Sequence, residues 1–351
     1  MAVQKIQTDQ FLQLATESVI LDVRSPAEYA HAHIPGAYSF PLFTDEERKI
    51  VGTTYKQQSR EDAIKTGLIY FGPKMRAMIE EIEKTFPQKK TFLVHCWRGG
   101  MRSAGVAWLL DLYGFKVYTL SGGYKKYRDQ VLQTFNTPSK LYIIGGYTGS
   151  GKTEVLKALS KKGESILDLE ALASHKGSAF GALGMPAQPS QEMFENLLAG
   201  AIHHLPAHAS VWVEDESQRI GEVNIPNAFW QKMRNAEIAF LNIPFEHRLD
   251  HIVNWYGKQD REKMVNAILR IKKRLGGLET KNAIGFLIED NVKECFRILL
   301  RYYDKYYLRS LHTRENLESC MTSLVSETTK EEENASLILK KLKKKEITTH
   351  E

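Results

Sequence analysis

The first third of the chain alternates short apolar runs with amphipathic stretches. Apolar runs at residues 18–23, 91–95 and 117–120 have the length and composition of buried strands, and an apolar helical pattern at 103–113 separates the last two. Strands that alternate with helices along a chain form parallel α/β sheets. The pattern therefore predicts a parallel-sheet α/β domain over residues 1–135.

A second α/β pattern begins after a polar, proline-containing stretch at residues 136–140, which we interpret as a linker. Its strand-like runs lie at residues 141–144, 165–169, 210–213 and 237–243. After Pro244 the sequence consists of long helical patterns rich in charged residues. We predict an α/β domain over 140–245, a basic helical region over 246–310 and a polar C-terminal tail over 311–351, which we expect to form one or two surface helices.

Composition is typical of a globular protein. Of the 351 residues 42% are hydrophobic, and the formal net charge is +6. The three cysteines, Cys96, Cys295 and Cys320, are odd in number and widely spaced, which favours a reducing compartment over a disulfide framework. The start resembles no secretory signal, and no apolar run approaches the ~20 residues that span a membrane. We therefore expect a cytoplasmic protein, and the oligomeric state stays open.

The sequence HCWRGGMRS at residues 95–103 places Cys96 between a predicted strand and a predicted helix. Main-chain N–H groups and the helix dipole at such a junction favour negative charge. Gly99 and Gly100 permit a tight loop, while Arg98 and Arg102 add positive charge. These features lower a thiol pKa, so we predict a reactive Cys96 thiolate, with a structural buried cysteine as the alternative.

The sequence GYTGSGKT at residues 146–153 matches the P-loop pattern G-x-x-x-x-G-K-[ST] and lies between a predicted strand and a predicted helix. Its N–H groups cradle phosphate oxygens in such loops, and the lysine neutralises them. The predicted site residues are Gly146, Gly149, Ser150, Gly151, Lys152 and Thr153, with Thr153 as the ligand of any magnesium ion. The motif predicts a di- or triphosphate site without naming the compound.

Residues 211–216, VWVEDE, form an apolar strand pattern that ends in acids, as a Walker B element does. We predict Asp215 as the carboxylate on the metal side, with Glu214 as the neighbouring candidate and Asp168 as a further one. An ordinary strand end with solvated acids is the alternative.

Basic and aromatic residues are frequent on the predicted C-terminal helices. Tyr302 and Tyr306 are four residues apart, as are Tyr303 and Tyr307, so each pair is adjacent on a helix face. Cations that meet phosphates and aromatic rings that stack on unpaired bases are typical of RNA binding. The candidate RNA contacts are Arg270, Lys273, Arg274 and Arg301; a solvated face with tyrosines on the core explains the pattern equally well.

The Cys96 loop, together with LDVRSPAEYAHAHIPGAYSFP at residues 21–41, strongly resembles the rhodanese family. In that family Asp22 and Arg24 would brace the loop. Ala32 stands where a glycine usually precedes His-Ile-Pro-Gly-Ala. The Cys-x5-Arg spacing is longer by one residue than in many sulfurtransferases and equals that of cysteine-dependent phosphatases, which favours a tetrahedral, phosphate-sized anion.

A rhodanese-like loop fused to a P-loop, with PLFTDEERKIVGTTYKQQSREDAIKTG at 41–67 and EDESQRIG at 214–221, resembles the tRNA 2-selenouridine synthase family over residues 19–309. The resemblance implies a rhodanese-like parallel-sheet domain and a P-loop NTPase-like α/β domain with a helical C-terminal extension. It also implies a selenotransferase and geranyltransferase that acts on the wobble 2-thiouridine of tRNAs for lysine, glutamate and glutamine. Geranyl diphosphate would give an S-geranyl intermediate, and selenophosphate would then replace sulfur by selenium.

The resemblance also implies roles for the two loops. Lys152 and its neighbours would hold the leaving pyrophosphate. Cys96 would attack selenium and carry it as a perselenide, with Arg98 and Arg102 on the phosphoryl oxygens. The residues implied around the second site are Asp215, Glu216, Ser217 and Arg219. No tightly bound cofactor is implied.

Other classes of function stay open. The main alternative is an ATP-dependent tRNA thiouridine sulfurtransferase that uses a Cys96 persulfide. A Cys-x5-Arg phosphatase and a non-catalytic RNA-binding protein are two further classes.

Overall fold

The protein is described by a computed structural model. The model describes residues 3–137, 140–206, 209–257 and 259–348, with side chains up to Lys341. Residues 138 and 139 of the predicted linker and residues 349–351 of the predicted tail lie outside the described residues. The chain divides into two compact units: the first comprises Met1–Thr134 and Glu195–Gly200, and the second comprises Phe135–Phe194 and Ala201–Glu351.

The first unit is built on a parallel five-stranded sheet of order β1-β5-β4-β2-β3. Its strands are β1 (Gln4–Ile6), β2 (Val19–Asp22), β3 (Tyr38–Ser39), β4 (Thr91–His95) and β5 (Lys116–Leu120). Its helices are α1 (Thr8–Leu14), α2 (Pro26–His31), α3 (Asp45–Gln57), α4 (Arg60–Thr85), α5 (Met101–Leu112) and α6 (Gly123–Thr134). The central strand β4 is buried from Phe92 to His95, because both faces of a parallel sheet are covered.

The second unit contains another parallel five-stranded sheet, of order β12-β11-β6-β8-β7, and a short antiparallel pair, β10-β9. Its strands are β6 (Lys140–Gly146), β7 (Ser165–Leu167), β8 (Ser210–Glu214), β9 (Arg219–Ile220), β10 (Val223–Asn224), β11 (Glu237–Asn242) and β12 (Met321–Val325). Ile144 on β6 is in register with Glu214 on β8. The loops that follow these two strands therefore start from the same edge of the sheet.

Helices cover this sheet and extend it. They are α7 (Lys152–Lys161), α8 (Leu169–Ala173), α9 (Gln191–His203), α10 (Asn227–Asn235), α11 (Phe245–Tyr256), α12 (Arg261–Leu275), α13 (Gly277–Ile288), α14 (Val292–Leu311), α15 (Leu317–Cys320) and α16 (Glu331–Thr348). Helices α11–α14 share an apolar core that includes Leu249, Ile268, Leu287 and Leu299. The helical region predicted from the sequence thus has a core of its own.

The segment predicted as a polar tail contributes to the second sheet. Strand β12 pairs in parallel with β11 and buries Leu324, and α16 buries Ala335 and Ile338 in the same core as α7. The prediction of surface helices alone was wrong. A strand at the sheet edge with one buried side chain has too weak an apolar pattern to be found by periodicity.

The parallel α/β fold class predicted from the strand and helix pattern is confirmed. Among the described residues, every helix is too short or too polar to cross a lipid bilayer.

Candidate active sites in the two units

Cys96 lies between β4 and α5, at the carboxyl edge of the first sheet. Its Sγ is 3.2 Å from the Ser103 hydroxyl oxygen and accepts a hydrogen bond from the Gly100 N–H at 3.3 Å. Cys96 is 3% exposed, so the thiol is enclosed, but hydrogen-bond donors face it. The sequence predicted main-chain N–H groups around the Cys96 sulfur. In the structure a main-chain N–H and the Ser103 hydroxyl both lie at this atom.

The surroundings of Cys96 favour the thiolate. Burial by itself raises the pKa of Cys96, but the Ser103 hydrogen bond, the Arg102 charge and the amides of Ser103 and Gly100 outweigh it and lower the pKa below the usual thiol value. A lowered pKa supplies the nucleophilic form of cysteine near neutral pH.

The two arginines of the loop differ in their contacts. The Arg102 guanidinium donates to the Glu28 carboxylate, with Nη1 2.7 Å from Oε2. Arg98 is exposed on the loop. The positive charge of Arg102 therefore stabilises the thiolate while its N–H groups bind Glu28. The sequence did not reveal Glu28 as a partner because it lies 74 residues away.

Asp22 and Arg24 form the buried support predicted for the loop. Arg24 donates to both oxygens of the Asp22 carboxylate and, at 2.7 Å, to the Ala32 carbonyl oxygen. Its guanidinium lies 3.8 Å from the centre of the Tyr124 ring, and the Tyr124 N–H donates to the Cys96 carbonyl oxygen. Ala32 has extended backbone, so the departure from glycine at this position costs nothing in conformation.

Close backbone approach fixes the identity of Gly99. Its φ is +63°, and a Cβ atom there would lie 2.5 Å from the Leu120 carbonyl oxygen. Only glycine fits both requirements. Of the two glycines read from the sequence, Gly99 is thus required by the packing of the loop against the end of β5, whereas a Cβ at Gly100 would meet no atom within 4 Å.

His95 is a buried feature that the sequence did not flag. It is fully buried next to Cys96, and its Nε2 is 3.7 Å from Asp22 Oδ2. Neither ring nitrogen has a hydrogen-bond partner within the described residues. Burial lowers the pKa of His95 to about 4, so the ring is neutral at physiological pH.

The P-loop of the second unit connects β6 to α7. Gly146, Gly149 and Gly151 have positive φ, and a Cβ at Gly149 would lie 2.8 Å from the Arg248 carbonyl oxygen. Ser150 is buried and its hydroxyl donates to the Tyr147 carbonyl oxygen. The Lys152 ammonium donates to the Gly146 carbonyl oxygen at 3.1 Å.

Three carboxylates gather beside Thr153. Its hydroxyl lies 3.0 Å from Glu170 Oε2 and 3.1 Å from Glu214 Oε2, and ligand atoms of Glu170, Glu214 and Glu216 lie within 4.8 Å of one another. Burial and the neighbouring negative charges raise the pKa of Glu214 well above its usual value. Glu214 Oε1 is buried and has no hydrogen-bond partner among the residues that the structure describes, so the cluster offers converging oxygen ligands of the kind that a magnesium ion binds.

Asp215 does not join this cluster, in contrast to the prediction. The Tyr307 hydroxyl donates to Asp215 Oδ2 at 2.7 Å, and Arg314 donates to Oδ1. Successive side chains of an extended chain point to opposite sides, so Glu214 alone of the two faces Thr153. Asp168, also considered, accepts from the Ala171 N–H as the N-cap of α8.

A cavity of about 590 Å³ opens from the P-loop. Gly151, Lys152 and Thr153 line one end, and Glu216 and Ser217 line its side. The aromatic side chains of its walls are Phe180, Trp230, Trp255, Tyr256, Phe296, Tyr302, Tyr303, Tyr306 and Tyr307. Arg219 is exposed on β9 and donates to the Gly221 carbonyl oxygen, outside the cavity lining.

Residues far along the chain hold the P-loop. The Tyr307 hydroxyl accepts from the Gly146 N–H at 3.1 Å, and the buried Arg248 donates to the Thr148 carbonyl oxygen at 3.0 Å. Arg248 also forms a two-pronged pair with Asp304. Sequence reasoning missed Arg248 and Asp304, since neither belongs to a local motif. It singled out Tyr307 only as one of a pair of tyrosines on a helix face, without a role at the P-loop.

The four predicted tRNA-contact residues lie in different surroundings. Arg274 lines the large cavity and a smaller neighbouring one, and Arg301 lines the smaller one. Arg270 and Lys273 are exposed on α12 and line neither.

Family models match both units. Residues 139–334 match the tRNA 2-selenouridine synthase AAA domain, and residues 7–130 match the rhodanese-like domain. The tRNA 2-selenouridine synthase of Nitrosomonas europaea is 34% identical over 85% of this chain and 90% of its own length, and that of Hydrogenovibrio crunogenus is 36% identical over 77% and 80%. The solved N-terminal domain of a putative ATP/GTP binding protein from Clostridium difficile 630 is 37% identical, covers 37% of this chain and 99% of that chain, and has a TM-score of 0.35.

Proposed function

This chain belongs to the tRNA 2-selenouridine synthase family, and we propose that it replaces the sulfur of wobble 2-thiouridine by selenium through an S-geranyl intermediate. The proposed donors are geranyl diphosphate and selenophosphate. The proposed substrates are tRNAs for lysine, glutamate and glutamine, modified in the cytoplasm.

The observation that carries the geranyl step is the shape and chemistry of the large cavity. The P-loop residues in its lining offer main-chain amides and Lys152 to a diphosphate, and the lining also includes aromatic and apolar side chains, with Phe180, Phe296 and Leu300 among them. A prenyl diphosphate has this same division between an anionic head and an apolar chain. Each buried CH₂ group contributes about 0.8 kcal/mol, so a ten-carbon chain supplies much of its own affinity.

The geranyl transfer step balances at this site. The thiocarbonyl sulfur attacks the first carbon of the geranyl chain, the bond from that carbon to the diphosphate oxygen breaks, and the N3 proton of the base is released. Pyrophosphate leaves with increased negative charge. Lys152, freed from the Gly146 carbonyl oxygen, would stabilise that charge together with the loop amides.

The residues beside Thr153 fit a magnesium ion. Thr153, Glu214 and Glu170 would hold it, since their oxygen atoms already converge and Glu214 Oε1 lacks a partner. When bound, such an ion would neutralise the diphosphate and the carboxylate cluster.

The selenium step is proposed at Cys96. Attack of the thiolate on selenium, as in the implied perselenide, would expel phosphite and reduce phosphorus. Attack on phosphorus expels selenide and leaves every oxidation state unchanged, so we favour an S-phosphocysteine at Cys96. The Ser103 hydroxyl and the amides around Sγ support an anionic ligand there. Selenide then attacks C2 of the base, geranylthiolate leaves, and N3 regains a proton. Water attacks phosphorus of the S-phosphocysteine, the S–P bond breaks, and phosphate leaves with the Cys96 thiolate restored.

The proposal is tested by the donor requirement. The protein is incubated with thiolated tRNA and geranyl diphosphate without ATP, and the nucleosides are separated and weighed by mass spectrometry. We expect S-geranyl-2-thiouridine, and 2-selenouridine once selenophosphate is added. Conversion that requires ATP and ignores geranyl diphosphate would instead support the ATP-dependent sulfurtransferase.

A second label test addresses the covalent intermediate. We expect Cys96 to acquire ³²P from labelled selenophosphate. Retention of ⁷⁵Se without ³²P would restore the perselenide and reject attack on phosphorus.

A further inference from the structure

A smaller cavity of about 240 Å³ lies at the ends of α12 and α13 and along α14. The residues that line it are Arg274, Leu275, Glu279, Ile298, Arg301, Tyr302, Lys305 and Tyr306. The five residues from α14 are spaced by one, three or four positions, which places them on one face of that helix. The cavity is therefore a built feature of three packed helices.

Positive charge dominates this smaller cavity. Arg274, Arg301 and Lys305 are exposed and face a single carboxylate, Glu279. None of the three cations takes part in an ion pair within the described ranges. Three cations around one cavity with a single carboxylate leave an excess of positive charge, which indicates an anionic ligand.

Aromatic rings stand beside these cations. The ring centres of Tyr302 and Tyr306 are 4.7 Å apart, and Arg274 lines the same cavity. Both tyrosines are only partly buried, so ring surface is left for a planar ligand. Cations for a phosphate next to aromatic rings for a base are the two components of single-stranded nucleic-acid binding.

The smaller cavity adjoins the larger one. Arg274, Tyr302 and Tyr306 line both. A polymer whose reactive unit lies in the larger cavity can therefore place its next unit in the smaller one. A single strand of RNA has this construction, since each base is followed by a phosphate and another base.

We infer that the smaller cavity binds the nucleotide adjacent to the modified uridine in the single-stranded part of the RNA substrate. Arg301 and Lys305 contact its phosphate, and Tyr306 stacks on its base. This inference rests on the proposed function in one respect, namely that the larger cavity receives the target base of an RNA.

The first test measures RNA binding without either donor. Fluorescence anisotropy compares an anticodon stem-loop RNA on the wild-type protein, on Arg301→Ala/Lys305→Ala and on Lys263→Ala/Lys281→Ala. The control pair removes the same charge from exposed positions of α12 and α13 outside both cavities. We expect about a tenfold loss for the first pair, with a salt dependence reduced by about 0.7 per lost phosphate contact, and less than about a twofold loss for the control. Equal losses in the two pairs would overturn the inference, because net charge alone would then explain binding.

The second test assigns the base contact. Tyr306→Ala is combined with an RNA that lacks the base next to the target uridine. Stacking of one base predicts about a 5- to 150-fold loss for either change alone and no further loss when both are made. Full additivity of the two losses would contradict the assignment.

A free nucleotide is the competing occupant. If Arg301→Ala/Lys305→Ala abolishes binding of a nucleoside monophosphate but leaves RNA affinity unchanged, the cavity serves a small ligand and the inference fails. Because RNA binding is measured without geranyl diphosphate or selenophosphate, its result does not depend on whether geranyl transfer occurs. A protein that transfers geranyl but keeps wild-type RNA affinity in the Arg301→Ala/Lys305→Ala variant retains the proposed function and loses this subsite.

Discussion

Arg248 offers a sharp test of how the P-loop is held. The side chain is 3% exposed and donates to the carbonyl oxygens of Thr148 and Ile243 and to both oxygens of Asp304. Replacing it by methionine keeps much of the volume and removes every donor. Thr148 then loses the contact that joins the P-loop to α11.

The expected loss in the free energy of unfolding follows from the Asp304 charge, which has no partner once Arg248 is replaced. The two ion-pair distances are 2.9 and 2.8 Å, and burial already raises the pKa of Asp304. Removing one partner of a buried pair costs about 3–5 kcal/mol, because the other charge stays uncompensated. Replacing both by Arg248→Met/Asp304→Asn removes that charge, so we expect a coupling energy of about 1.5–3 kcal/mol in the double-mutant cycle.

The assay is urea unfolding of the full chain followed by tryptophan fluorescence. Of the five tryptophans, Trp97 and Trp108 belong to the first unit and are 36% and 51% exposed. Changing these two to phenylalanine in every variant leaves the signal to Trp212, Trp230 and Trp255 of the second unit. Pyrophosphate affinity of the same variants then reports whether the loop itself has moved.

Arg248→Met is expected to lower both the free energy of unfolding of the second unit and the pyrophosphate affinity. A cost below about 1 kcal/mol, or additive effects of the two substitutions within about 0.5 kcal/mol, would refute the bracing role.

Three further predictions concern the buried titratable groups. Burial raises the pKa of Glu214, so the wild-type protein loses stability as pH rises and this carboxyl ionises, and Glu214→Gln should avoid that loss. In thermal unfolding at pH 8 we expect the variant to have a higher Tm than the wild type without magnesium and to gain nothing from added magnesium. A rise in Tm with magnesium as large as that of the wild type would contradict the cation site. Burial lowers the pKa of His95 from 6.5 to about 4, so the free energy of unfolding of the first unit should fall by up to about 3 kcal/mol as pH falls through that window. His95→Phe should flatten this pH dependence in urea unfolding. An unchanged pH dependence in the variant would show that His95 does not cause it. Ser103→Ala should raise the pKa of Cys96, because the thiolate loses the Ser103 hydrogen bond. The pH profile of site-resolved alkylation should then have its midpoint at higher pH, and an unmoved midpoint would show that the hydroxyl is not a thiolate partner.

Local sequence patterns sufficed for the elements that present the two loops. Strand β4 occupies residues 91–95 as predicted, and α7 begins at Lys152. A buried parallel strand followed by a glycine-rich turn is a short-range signal, because the apolar run and the turn residues are contiguous. The position of the Cys96 and P-loop motifs was therefore predictable.

The partners of the site residues were not predictable in the same way. Glu28 binds Arg102, and Glu170 reaches Thr153, across chain separations that no periodicity relates. Asp215 was assigned to the metal side because it follows an apolar strand, but Tyr307, 92 residues away, donates to it. The direction of a side chain at a strand end depends on tertiary contacts. The sequence therefore identifies the acidic residues there but does not show which of them faces the P-loop.

The most direct test of the central claim separates the two loops by their products. Thiolated tRNA is incubated with both donors and either Cys96→Ser or Lys152→Ala protein, and the nucleosides are identified by mass spectrometry. We predict that Cys96→Ser accumulates S-geranyl-2-thiouridine without 2-selenouridine, and that Lys152→Ala leaves 2-thiouridine largely unconverted. Formation of 2-selenouridine by Cys96→Ser at the wild-type rate would contradict an account in which the Cys96 thiolate releases selenide from selenophosphate and the P-loop site transfers geranyl.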